Sequence, residues 1–242
     1  MSFSLRFSMS DSIVPPLASP PCSEQELMHK AMQLGGQTVL EVARSLQVEI
    51  PDQPKRHKGF VGKLVERALG ADAANRPVPD FMDLDIELKT LPVSATGRPV
   101  ETTYVCRLEL SGHPHEEWVN SRVYHKLKRV LFLLIEGDSS IPMHKRRFGI
   151  SFLWSPSPEE ETLLKADWED IMDLRARGLL DAISARRGRV LQLRPKAANR
   201  HARGVSRDHD DEEYVTSPRG FYLRTTFTAS LIQSHLAQTR EP

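Results

Sequence analysis

The rhythm of apolar and polar positions changes along this chain, and each change marks an element. Ser23 with Glu26, and Thr38 with Glu41, form two Ser/Thr-x-x-Glu capping boxes ahead of apolar residues at helical spacing, and Gly35-Gly36 breaks the chain between them. A helical pair is expected there. A third helix is predicted over residues 60–69, where Phe60, Leu64 and Ala68 make one stripe and Glu66 lies off it. The period then drops to two. In a strand predicted over residues 80–91, Leu84, Ile86 and Leu88 go to one face and Asp85, Glu87 and Lys89 to the other. Ala95-Thr96-Gly97-Arg98-Pro99 reads as a turn, and residues 101–110 as the returning strand of a hairpin. Residues 130–135 are an unbroken apolar run, which fits a strand buried on both faces. Further strands are predicted near residues 147–154, 190–196 and 221–224, with helices at about 158–177 and 226–238. The fold class is α/β, a mixed sheet flanked by helices. Residues 1–22, rich in Ser and Pro, read as a disordered tail, and residues 207–213 as a charged loop.

The chemistry concentrates in the first predicted strand. Glu87 and Lys89 share a face, which sets a hard-cation ligand beside a positive charge, and Asp80 supplies a second carboxylate from the strand entry. Mg²⁺ suits such a pair, because it takes one or two carboxylates and leaves its other positions to water and phosphate oxygens. With a metal, two carboxylates can polarise a scissile phosphate and lower the pKa of an attacking water, while Lys89 holds that water or neutralises charge. Taken alone, Asp-x6-Glu-x-Lys also describes an exposed strand face that alternates charge to stay solvated.

Composition narrows the setting. The chain has 242 residues, enough for one large domain or two lobes sharing a cleft, and its 39% hydrophobic content is ordinary for a globular protein. No apolar run approaches the ~18 residues needed to span a membrane, and the first residues, with Arg6 and Pro15-Pro16, lack the apolar core of a signal peptide. Cys22 and Cys106 have no metal-ligand spacing and fit a reduced pair in a cytoplasmic protein, Cys106 being expected inside a strand. Net charge is +1, so only its distribution points to a partner. Arg186, Arg187, Arg189, Arg194, Lys196, Arg200 and Arg203 fall in a segment without Asp or Glu, and Arg122, Lys126, Lys128 and Arg129 make a second cluster. Such patches attract phosphates whatever the sequence, or else are solvated faces. The balancing acid, Glu159 to Glu161, Asp167, Glu169, Asp170 and Asp173, lies on a predicted helix with Leu164, Trp168 and Ile171 on its apolar side; the acidic face is expected to point away from any phosphate-bearing partner.

Pro79-Asp80 followed by Glu87-Leu88-Lys89 resembles the motif of the PD-(D/E)xK nucleases, the restriction-endonuclease-like group. More closely, the chain resembles the MutH family of strand-nicking mismatch repair endonucleases. That likeness is carried by Lys58-Gly59-Phe60-Val61-Gly62 leading to Glu66, by Asp80-Phe81 through Lys89-Thr90, and by Gly97-Arg98-Pro99 with Glu101-Thr102-Thr103. It continues through residues 125–131, Leu153-Trp154-Ser155-Pro156, Arg194-Pro195-Lys196-Ala197-Ala198-Asn199 and Pro218-Arg219-Gly220-Phe221-Tyr222-Leu223. The blocks cover most of the chain after about residue 23, in the family's order.

The resemblance implies an endonuclease domain over residues 23–242, two lobes around a DNA cleft, acting as a monomer. It implies Mg²⁺ held by Asp80, Glu87 and Leu88, with catalysis by Asp80, Glu87 and Lys89, helped by Glu66 and by Lys126 near the scissile phosphate. Lys58, Lys128 and Arg129 would meet the DNA, and Arg194, Pro195 and Lys196 would approach bases, since Arg and Lys can donate to guanine O6 and N7. Tyr222 would sense the N6 methyl group of adenine or, on the plainer reading, is a strand aromatic. The implied target is GATC, nicked 5′ to the guanine on the unmethylated strand, with activation by MutL after MutS finds a mismatch. A free-standing GATC restriction endonuclease shares this chemistry and would cut both strands unaided. A DNA-binding module without catalysis is disfavoured by the intact Asp80, Glu87 and Lys89. The chain departs from the family in its longer N-terminus, in Phe60 where an indole is familiar and in Tyr104 where a phenyl is familiar.

Overall fold

A computed structural model describes residues 18–51, 59–73, 76–110, 116–196, 203–208, 210 and 212–239. The helices arise largely where the sequence caps them. α1 (Glu24–Leu34) starts at Ser23, whose hydroxyl accepts from the Glu26 N–H. α2 (Val39–Ser45) has the complete capping box between Thr38 and Glu41, and α3 (Phe60–Leu69) runs over the predicted residues and ends at Gly70 in the left-handed region, φ +79°.

Between them and the next helix lie β1 (Glu87–Val93) and β2 (Thr103–Arg107). Then come α4 (Arg122–Leu127), β3 (Val130–Glu136), β4 (Phe148–Trp154) and α5 (Pro158–Ala176), the last opening with a Ser157–Glu160 capping box and Pro158 in its first turn. β5 (Leu191–Pro195), β6 (Gly204–Arg207), β7 (Glu213–Thr216), β8 (Arg219–Leu223) and α6 (Thr225–Gln238) complete the described residues.

Two three-stranded sheets organise the molecule, in the orders β1-β3-β4 and β2-β8-β5. β3 is central to the first, parallel to β1 and antiparallel to β4. Its run is buried on both faces as the unbroken apolar pattern predicts, and alternation splits it between two cores. Leu131, Leu133 and Ile135 pack with Leu27, Val39, Leu64 and Leu69 of the first three helices. Val130, Phe132 and Leu134 face Leu164, Trp168 and Ile171 of α5 and Leu231 of α6, a cluster continuous with Leu191, Phe221 and Leu223 of the second sheet. The two cores therefore meet across the first sheet.

Three expectations are corrected. The strand predicted from residue 80 begins at Glu87, because Met82–Leu84 form a 3-10 turn and Asp85 enters the left-handed region at φ +56°. The turn near residues 95–99 is present, yet β2 pairs with β8 rather than returning along β1; beyond a single bridge between Val93 and Pro99 the chain leaves the first sheet. Pro92 gives a reason: it has no N–H to donate to a hairpin partner, and proline inside a strand belongs on a sheet edge. The charged segment 207–213 is not only a loop, since β6 and β7 pair as an antiparallel ribbon with Val205 opposite Val215. Residues 1–17 of the expected tail, and Lys58 and Arg200, lie outside the described residues.

Candidate active site and nucleic-acid interface

The acidic site is made by a loop that folds back on itself. Phe81, 2% exposed, anchors the loop in the first core, and its backbone exchanges hydrogen bonds with Ile86, N to O at 2.9 and 3.2 Å. Closing six residues this tightly needs a left-handed position, which aspartate tolerates better than most side chains, and Asp85 occupies it. Asp72 braces the loop by accepting from the Met82 N–H at 3.0 Å. Asp80 is thereby brought beside the start of β1, where it accepts from the Leu88 N–H at 2.8 Å.

Glu87, 4% exposed, is clamped by two lysines. Lys89 Nζ donates to Glu87 Oε1 at 2.5 Å and Lys126 Nζ to Glu87 Oε2 at 2.6 Å. Lys126 also donates to the Val78 carbonyl at 2.6 Å. It reaches the site from α4, where Ser121 caps the first turn by accepting from the Tyr124 N–H. Glu66 on α3 is half-buried, and burial, followed by the charge of Glu87, holds its carboxyl above the usual glutamate range. Asp80 is pushed up to about 6 for the same two reasons in the same order, although its bond from Leu88 and the charges of Lys89 and Lys126 pull the other way. Asp80, Glu66, Glu87, Lys89 and Lys126 thus share one electrostatic neighbourhood, as the sequence implies.

Asp80 and Glu87 are hard oxygen donors in a dry setting, the donor chemistry that a magnesium-sized cation prefers. Leu88 carries no side-chain donor and could contribute only its main-chain carbonyl. Among the described residues no group of three or more His, Cys, Asp or Glu is arranged to hold a metal. Two carboxylates with phosphate and water suffice for Mg²⁺, and a cation would offset the burial and the Glu87 repulsion that together raise Asp80. At Glu87 it would compete with the two lysine ammonium groups for the carboxylate.

The expected partition of strand faces fails at Asp85. It leaves the face of Glu87 and Lys89 and forms an ion pair with Lys128. Arg129 is also engaged: its Nε and Nη2 donate to the two carboxylate oxygens of Glu24 at 2.9 and 2.5 Å, and Nη1 to the Ser155 hydroxyl at 3.3 Å. Any DNA contact by these two side chains has to compete with, or extend from, those pairs.

The second candidate group stands on the other sheet. Lys196, just past β5, lies with its ammonium 3.1 Å from the centre of the Tyr104 ring. Tyr104 and Tyr222 meet edge to face at 5.3 Å. Arg194 donates to the Thr102 hydroxyl at 2.8 Å, its guanidinium carbon 5.8 Å from the Tyr222 ring centre. Arg194, Pro195 and Tyr222, with Val100, Glu101, Thr102 and Thr225, line a recess of about 550 Å³. Lys196 is held below the usual lysine range, at about 8, by burial first and the nearby Arg107 charge second.

The basic segment is less free than its composition implies. Arg187 pairs with Asp170 of α5 through both carboxylate oxygens, one contact at 2.6 Å. Asp167 is buried rather than solvent-facing and accepts from the N–H groups of Arg189, Val190 and Leu191 at 2.7–2.8 Å. Part of the acidic helix therefore seats the entry to β5. The braces at Asp72, Val78 and Thr102 and the platform at Tyr104 carry no signal in local spacing. Each depends on residues distant in the chain.

A mixed α/β fold with Asp80, Glu87 and Lys89 grouped at the start of a sheet strand defines a restriction-endonuclease-like protein. A family profile described as DNA mismatch repair enzyme MutH matches residues 69–167. The chain is 47% identical over 220 residues to the DNA mismatch repair protein MutH of Serratia proteamaculans (strain 568), covering 91% of this chain and 96% of that one. It is 48% identical over 227 residues to the protein of that name from Yersinia pseudotuberculosis serotype IB (strain PB1/+), covering 94% and 99%. For that of Salmonella newport (strain SL254) the identity is 48% over 220 residues, covering 91% and 95%. The chain belongs to the MutH family.

Proposed function

We propose that this protein is a DNA mismatch repair endonuclease that nicks the unmethylated strand of hemimethylated GATC, 5′ to the guanine, with Mg²⁺ as cofactor and MutL as activator after MutS has found a mismatch. Residues 23–242 form its endonuclease domain, which acts as a monomer. The observation that carries the reading is the joining of Asp80, Glu87, Lys89 and Lys126 in one partly buried cluster of a chain of this family.

The bound metal would supply positive charge to polarise the scissile phosphate and to lower the pKa of the attacking water. The chain's own residues do the rest. Asp80 and Glu87 hold the cation, and Glu66 adds negative charge from α3. Lys89 and Lys126, released from Glu87, place two ammonium groups where charge accumulates on the phosphate oxygens. Lys58, Lys128 and Arg129 serve the DNA backbone, giving affinity without sequence information. Arg194 and Lys196 read base edges beside Pro195, and Tyr222 is the methyl sensor. No helix among the described residues is long and apolar enough to cross a membrane, and the proposed place of action is the cytoplasm, where DNA is reached.

Supercoiled plasmid carrying GATC sites tests this reading with and without Mg²⁺ and MutL. Nicked circles that require both are the expected product. Linear DNA from unmethylated plasmid without MutL would identify a restriction endonuclease instead, and intact plasmid under every condition would leave only a binding module.

A further inference from the structure

Lys196 is fixed at both ends. Its backbone N–H donates to the Pro218 carbonyl at 2.8 Å, and its ammonium sits over the Tyr104 ring, well inside the range at which a ring quadrupole attracts a cation. Tyr104 stands opposite Tyr222 in the β2–β8 register. Tyr222 in turn lies beside the Arg194 guanidinium, so two cations and two rings form one unit. That unit needs a bare floor. A Cβ on Gly220 would come within 3.0 Å of Tyr104 Cε2, 3.1 Å of the Cys106 carbonyl oxygen and 3.4 Å of Tyr222 Cε2. Gly220 does not have a positive φ, so glycine is needed there for space rather than for backbone freedom.

We propose that Tyr104, seated over Gly220, is a positioning residue for base recognition: its ring holds the Lys196 ammonium in place, next to Tyr222 and Arg194, before DNA arrives. The proposal rests on the base-reading role given to Lys196 above. The physical gain is preorganisation. A lysine stem loses rotamer freedom when it binds, and a stem already parked on a ring loses less. Burial and Arg107 work against an ammonium at this point, as the lowered pKa of Lys196 records, and the aromatic face offsets them. The Tyr104 hydroxyl has no part in this, so phenylalanine should serve.

The test uses the full chain with labelled lysines, and short duplexes carrying either GATC or the site with one base pair exchanged. In the wild type and in Tyr104→Phe the Lys196 side-chain protons should show a ring-current shift that Tyr104→Leu loses. The ratio of Kd values for the two duplexes should fall about tenfold in Tyr104→Leu, as far as in Lys196→Ala. The double variant should fall no further, Gly220→Ala should show a smaller loss, and Tyr104→Phe should keep the ratio. If Lys196→Ala loses the ratio but Tyr104→Leu keeps it, positioning fails while base reading stands. If Lys196→Ala itself keeps the ratio, both fail together. Equal losses from Tyr104→Leu with and without Lys196 would make the ring an independent contact and overturn the proposal. So would an unshifted Lys196 resonance in the wild type, whatever the variants do.

Discussion

The two charged groups of this molecule handle their cations in opposite ways. Around Glu87, two lysines meet a buried carboxylate directly, with Asp80 and Glu66 adding negative charge nearby. Around Tyr104 and Tyr222, Arg194 and Lys196 lie beside aromatic rings, and Arg194 donates to a neutral hydroxyl, that of Thr102. Ion pairing at the first group keeps opposite charges in a dry place until something displaces them, which suits chemistry. At the second, aromatic rings and a hydroxyl hold the cations, which suits reading a base edge. The difference teaches that one chain can store positive charge as reactive or as readable, according to the partner that holds it.

The sharpest way to break the comparison is to remove the carboxylates. Asp80→Ala or Glu87→Ala should cut nicking on the order of 10³-fold while duplex binding stays largely intact, because the basic groups are proposed to hold the DNA. Normal nicking by either variant with Mg²⁺ would remove the assignment of this site.

Next in size is the contrast between the reading and gripping cations. Lys196→Ala should lose about 1–3 kcal/mol of discrimination between GATC and single-base variants. Lys128→Ala should instead weaken all duplexes alike and reduce the slope of log affinity on log salt by about 1. Identical profiles for the two across a panel of altered sites would erase the distinction drawn here.

Tyr222 sharpens the second group further. Tyr222→Ser should open space for an N6 methyl group and let fully methylated GATC be nicked, with a smaller fall on unmethylated sites. The readout is the ratio of nicking rates on unmethylated, hemimethylated and fully methylated duplexes with MutL present. An unchanged ratio would return Tyr222 to a structural role.

The smallest effect concerns stability. Asp80 has a folded pKa of about 6 against an ordinary 3.8, so between those values the native state binds more protons than the unfolded one, and stability falls as pH rises. The penalty is absent below about pH 4 and fully present above about pH 6. Asp80→Asn should therefore stabilise the metal-free protein at pH 7 by about 1–3 kcal/mol and do little at pH 4. Mg²⁺ should raise the Tm of the wild type and not that of the variant. A variant less stable than wild type at pH 7 without metal would show that Asp80 is not under the burial penalty and repulsion described.

Local rules carried much of the fold. Capping residues and apolar spacing located α1, α2, α3 and α5, and the unbroken apolar run identified β3 as buried on both faces, because these signals act within a few residues of one another. The same holds for Glu87 and Lys89, whose shared face follows from the strand period. Period two failed between Asp80 and Asp85, where a left-handed aspartate and the buried Phe81 close a loop that alternation alone cannot announce.

By itself the sequence determined the capped helices, the central strand, the glutamate–lysine pair and, through its ordered motifs, the family. Tertiary structure alone decided that β2 joins β8 and not β1, that Lys126 reaches Glu87 across 39 residues, and that Asp167 seats β5. It alone brought Tyr104 and Lys196 together over Gly220. The reason is range: propensity, capping and periodicity act between near neighbours, whereas these pairings are chosen by which buried faces and unpaired polar groups meet once the cores have closed.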